Sequence, residues 1–121
     1  MGLQVSIRES GDVTILDIQG RATIGRDSEV LAGHLRKLLD DHKCRVLLNL
    51  TGLTQVDSSG LSTIVRAFVS CRREGGSLKL LRPQGSVKLV LETLHLMDVI
   101  PHYEDYREAV ASFTTGHSAG G

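Results

Sequence analysis

The sequence predicts an α/β domain with a mixed, mostly parallel sheet packed against amphipathic helices, in the order ββαβαβαβα. Three observations carry that expectation. Two short β-branched stretches at the start flank Ser10-Gly11-Asp12, which has the composition of a hairpin turn. Arg45 to Leu50 is a dense apolar run, too short for a helix and typical of a strand buried on both faces. Beyond it, apolar stripes at helical spacing alternate with strand-like runs, and such alternation implies helical crossovers between parallel strands.

In chain order, Val5 and Ile7, then Val13, Ile15 and Ile18, mark the paired opening strands. Leu31, Leu35, Leu38 and Leu39 form the first helical stripe, after Asp27 and Ser28, either of which can cap a helix start. The run from Arg45 to Leu50 is the central strand, followed by a loop from Thr51 to Val56. Leu61, Ile64, Val65, Phe68 and Val69 then lie on one face of a second helix, which Gly75-Gly76 ends. Ser77 to Leu81 reads as a strand, Val87, Val90, Leu91 and Leu94 as a third helical stripe, and Val99-Ile100 as a short final strand. Tyr106, Ala109, Val110 and Phe113 close the pattern as a last helix. The reading is one domain over residues 1–113 and a small, polar, flexible tail over 114–121.

A chain of 121 residues can bury roughly two-thirds of its unfolded surface, enough for a real core. Fourteen Lys and Arg balance fourteen Asp and Glu, so no global field holds nucleic acid or an acidic membrane surface. Partners must be recognised by shape and local contacts. No apolar run reaches the length of a membrane span, and the start Met-Gly-Leu-Gln-Val lacks the regions of a signal peptide, from which a cytoplasmic location is expected. Cys44 and Cys71 stand singly, without CxxC spacing, and read as free structural thiols. His34, His42, His95, His102 and His117 lack the i, i+4 pairing of a helical metal site, and no GxGxxG or GxxxxGK[ST] loop is present, so neither metal nor cofactor is expected.

The feature that stands out is Asp57-Ser58-Ser59-Gly60, between the central strand's loop and the second helix. In open α/β sheets ligands and partners meet the carboxyl ends of strands, and a helix start offers unpaired N–H groups to an anion. As a bare tetrapeptide the same residues read first as Asp57 or Ser58 capping the helix and Gly60 allowing tight packing or a positive φ. The Gly-x-Ser-x-Gly elbow of a serine hydrolase is not matched, which argues against an enzyme. On the outward face of the helix, Ser62, Thr63, Arg66, Ser70 and Arg73 continue from Ser58 as a candidate docking stripe or an ordinary solvated surface.

With Asp57-Ser58-Ser59-Gly60-Leu61 after an apolar strand, and Gly75-Gly76-Ser77-Leu78-Lys79-Leu80-Leu81 one helix later, the sequence resembles the STAS domains, specifically the anti-sigma factor antagonists, from about Leu3 to Phe113. The resemblance implies a non-catalytic switch. Its unphosphorylated form would bind an anti-sigma factor that is also a serine protein kinase, thereby freeing a sigma factor and regulating transcription. Phosphorylation of Ser58 would release it, and a PP2C-type phosphatase would reset the cycle. The partner surface would comprise Asp57, Ser58, Ser59, Gly60, Ser62, Thr63 and Arg66, together with Arg21 and Thr23. Two departures concern that surface. Many family members have glycine where Ser62 stands, and Arg21 and Thr23 replace acidic residues common in the segment Gly20-Arg21-Ala22-Thr23-Ile24-Gly25. The alternative is a STAS-type binding subunit of a transporter or signalling assembly, with Ser58 unmodified.

Overall fold

The structure, a computed structural model, describes residues 3–22 and 26–119. Strands β1 (Gln4–Ser10) and β2 (Val13–Ala22) form an antiparallel hairpin in which Ser10 lies opposite Val13. The chain continues through α1 (Arg26–Asp40), β3 (Arg45–Val56), α2 (Ser58–Arg73), β4 (Ser77–Leu81), α3 (Gly85–Thr93), β5 (His102–Tyr103) and α4 (Tyr106–Ala119). The sheet order is β1-β2-β3-β4-β5, with every pair after the first parallel. This is the expected α/β architecture, and β3 holds the central place.

Alternation along β3 explains its position. Val46, Leu48 and Leu50 enter the larger core under α1, α2 and α3, while Leu47 enters a smaller one with Ile15, Leu81, Ala109 and Phe113 under α4. Each is almost wholly buried, so the strand is apolar on both sides.

Several expected boundaries move. Residues Thr51 to Val56 extend β3 rather than forming a loop, because β2 also runs on to Ala22 and pairs with them, Gly20 opposite Leu53 and Ala22 opposite Val56. Val99-Ile100 is not a strand: a short 3-10 turn, Leu96–Asp98, redirects the chain, and Ile100 is buried as a core residue. The final strand falls at His102–Tyr103, where the Leu80 N–H donates to Pro101 O at 2.9 Å and the Arg82 N–H to Tyr103 O at 2.8 Å. Helix α1 begins at Arg26, so Asp27 and Ser28 lie within its first turn rather than before it. On α2, Val69 stands 41% exposed while Ala67 and Cys71 are buried. Helix α4 runs from Tyr106 to Ala119.

The end of α2 follows from its two glycines. The Gly75 N–H donates to Arg72 O at 3.1 Å and the Gly76 N–H to Cys71 O at 2.9 Å, the paired bonds of a Schellman stop, with Gly75 at φ +86°. A Cβ on Gly76 would lie 2.1 Å from the Cys44 carbonyl oxygen, so the chain passes β3 closely only because none is there. Burial raises both thiols, Cys71 up to about 12, which keeps them protonated and unreactive.

On the opposite face, α4 is held by a partly buried cation. Lys79 Nζ donates to Ser112 Oγ at 2.8 Å and lies 4.5 Å from the Phe113 ring centre, and burial pushes its pKa down. The edge strand is clipped on by Arg8, whose Nε and Nη2 donate to Asp17 at 2.6 and 3.0 Å, while Asn49 Nδ2 donates to the same carboxylate at 2.7 Å.

The Arg8 hydrogen bond holds the Asp17 carboxyl below its ordinary 3.8. A depressed carboxyl contributes stability above its unfolded pKa and loses it as pH falls through the folded one. Asp17→Asn should therefore cost about 0.5–1 kcal/mol at neutral pH, the scale of a half-exposed pair. Chemical denaturation at neutral and acidic pH checks this: the difference from the native chain should fade below about pH 4 as the native carboxyl takes up its proton.

Candidate partner-docking site

The carboxyl ends of β2 and β3 lie side by side, and α2 starts on top of them. Asp57 is the N-cap, with extended backbone, and its Oδ1 accepts from the Ser59 N–H at 3.0 Å and the Gly60 N–H at 3.3 Å. The Asp57 N–H donates to Ala22 O at 3.2 Å, which ties the helix start to the end of β2. Gly60 sits in that joint. An added Cβ would meet Ala22 O and Val56 Cγ2, each at 2.7 Å, whereas its φ is not positive, so close packing is what calls for glycine here.

This packing sorts the hydroxyls. Ser58, first residue of the helix, points to solvent; Ser59 is half-buried; Thr63 Oγ1 donates to Ser59 O at 3.0 Å. Ser62, one turn after Ser58, is exposed, as is Arg66 one turn further. Ser58, Ser62 and Arg66 line one shallow groove of about 440 Å³ with Leu61, Val65 and the apolar side chains of Leu94 and Leu96. Ser70 is half-buried and Arg73 exposed, farther along α2.

Arg21 is exposed on β2 opposite Gln55. The pairing register between β2 and β3 shifts at this step, between Gly20 and Arg21. Thr23 lies outside the described residues. The structure thus gathers Asp57, Ser58, Ser59, Gly60, Ser62, Thr63 and Arg66 along the start of α2, while Arg21 sits on the neighbouring strand end, one residue before the Ala22 that the helix start touches.

Sequence reasoning missed the far wall of the groove. Leu94, which belongs to the third helical stripe, is 53% exposed, and Leu89 and Val99 are similarly uncovered at 63% and 57%. The available signal was the density of apolar residues between Leu89 and Ile100, eight of twelve, more than one short helix can bury on a single face.

Electrostatically the site differs from an open anion cradle. Two of the first-turn N–H groups are already bonded to the Asp57 carboxylate, so a phosphate on Ser58 would project outward beside a negative charge. The helix dipole still favours an anion there, by about 0.3–1 kcal/mol for an exposed group. Among the described residues that line the Ser58 groove there is no histidine. Among the described residues no cluster of three His, Cys, Asp or Glu could hold a metal, and no helix is long and apolar enough to cross a membrane.

A sequence profile described as STAS domain matches residues 4–109. No curated protein is similar enough in sequence to count as a relative. Among solved structures, a candidate anti-sigma factor antagonist from Thermotoga maritima superposes with a TM-score of 0.84 at 23% identity, covering 90% of this chain and 93% of that one. The unphosphorylated form of the anti-sigma factor antagonist SpoIIAA gives 0.72 at 14% identity, covering 95% and 99%, and the phosphorylated form of SpoIIAA, from Bacillus, gives 0.69 at 14% identity, covering 89% and 97%. A sulfate transporter family protein from Wolinella succinogenes gives 0.71 at 17% identity, covering 88% of each chain. At such identities the likeness is one of fold.

Gly60→Val should strain the joint between α2 and β2. Overpacking of this kind costs about 1–3 kcal/mol, visible as a lowered thermal midpoint. An unchanged melt would show that the helix start can shift without cost.

Proposed function

The chain belongs to the STAS domain family, and from that premise we propose that it is an anti-sigma factor antagonist, a non-catalytic switch controlled by phosphorylation of Ser58. One observation carries the reading: Ser58 alone joins an exposed hydroxyl to the first turn of α2, while Ser59 is half-buried and the Thr63 hydroxyl is bonded to the backbone. The implied partners are an anti-sigma factor that is also a serine protein kinase and a phosphatase of the PP2C type. In the unphosphorylated state the partner would cover Ser58, Ser62 and Arg66 and bury the exposed Leu94.

Phosphorylation adds about −1.5 to −2 charge beside Asp57, whose carboxylate is fixed by its bonds to the helix start. An interface closing over both must desolvate them together. A penalty of about 3–4 kcal/mol is reasonable for such a site, equivalent to several hundredfold in affinity. The backbone need not move, because the modified oxygen lies outside the packed joint. The second reading, a binding subunit of a transporter, draws on the Wolinella succinogenes neighbour and leaves Ser58 unmodified.

Incubation with ATP and the anti-sigma kinase encoded in the same genome should add one phosphate, mapped by mass spectrometry to Ser58. Ser58→Ala should bind the kinase and refuse phosphate, whereas Ser58→Asp should lose only part of the affinity that the phosphorylated chain loses. A phosphate mapped to Ser59, Ser62 or Thr63 overturns the site. Equal affinities of the two forms, or amide shifts spread through the sheet, overturn the mechanism.

A further inference from the structure

Behind the Ser58 groove a second, tighter cleft runs between α1 and α2. It encloses about 160 Å³, with Leu35, Leu39 and Ala67 as its floor and Arg36, Arg66 and Ser70 at its rim. The two arginines come from different helices and are exposed. Among the described residues the Lys and Arg side chains paired with a carboxylate are Arg8, Lys37, Lys43 and Arg45, so neither rim guanidinium is neutralised by one. Asp40, one turn after Arg36, forms no pair with it.

An apolar floor beneath two unpaired guanidinium groups defines its complement. An aliphatic side chain would fill the floor, and carboxylates flanking it would meet forks suited to bidentate bonding. Arg66 also lines the Ser58 groove, so the two depressions share one wall and form a continuous surface. We propose that the α1–α2 cleft is the specificity element of the docking surface and receives an acidic segment, with an aliphatic side chain at its centre, from the anti-sigma factor. This rests on the antagonist reading for the identity of the partner, though not for the chemistry of the cleft.

The partner in this reading must carry an acidic patch. Charge reversal at the cleft should therefore exclude it more strongly than truncation, and added salt should weaken docking, since exposed charges are screened within about 8 Å at physiological ionic strength.

The test has two arms on the full chain. In the first, the ¹⁵N-labelled protein is titrated with a short synthetic peptide containing several glutamates around one leucine. Amide shifts should concentrate at residues 32–39 and 63–70, weaken several-fold in Arg36→Ala and in Arg66→Ala, and be absent with a glutamine-for-glutamate peptide. Shifts elsewhere, or inorganic phosphate shifting the same amides while the peptide does not, overturn the cleft. In the second arm, calorimetry with the anti-sigma kinase should show Arg36→Glu weakening binding at least tenfold while its thermal midpoint stays within a few degrees. Unchanged affinity in Arg36→Glu, with Ser58→Asp still weakened, overturns the inference and spares the antagonist reading. No binding of the kinase by the native chain, with the peptide response intact, overturns the antagonist reading and supports the cleft as an acidic-segment receptor.

Discussion

The close approach of α2 to the end of β2 is the constraint on which the rest depends. Gly60 has no side chain, Ala22 has a minimal one, and the Asp57 N–H is bonded to the Ala22 carbonyl oxygen. With the helix seated so low, the Asp57 carboxylate reaches the N–H groups of Ser59 and Gly60. The exposure of Ser58, the half-burial of Ser59 and the outward line through Ser62 and Arg66 follow from that seating. A side chain at Gly60 would lift the helix and change which hydroxyl faces solvent.

The larger elements were legible because their signals are redundant. The central strand announced itself by being apolar on both faces, and α2 by its stripe, its cap and its two terminal glycines. What could not be read lay where local pattern and tertiary environment part company. Thr51 to Val56 carry polar residues because this half of β3 runs beyond the α4 cover, and its partner, the end of β2, was itself disguised as a loop by Gly20 and Arg21. Ile100 looks like a strand residue and is a core plug, since the main-chain bonds that define β5 involve Pro101 and Tyr103. Hydrogen-bonded pairing leaves little trace in so short a segment.

The candidate site was legible to a similar depth. The tetrapeptide disclosed a capped helix start at the sheet's carboxyl edge, because the chemistry of capping is local. The groove and the cleft were hidden, because each is made by residues distant in sequence: Leu94 and Leu96 across from Ser58, Arg36 across from Arg66. An amphipathic pattern distinguishes inside from outside on one helix, but it does not reveal that two outward side chains share a depression.

The helix start is held by the Asp57 N–H on Ala22, by the Asp57 cap and by the packing of Gly60, none of which involves the Ser58 hydroxyl. Under the proposed reading this makes the molecule a latch without a spring: nothing in the domain would relax to erase the mark. The duration of the signal would then be set wholly by the rates at which other enzymes attach and remove a phosphate. The chain's own folding stability would leave no imprint on the clock.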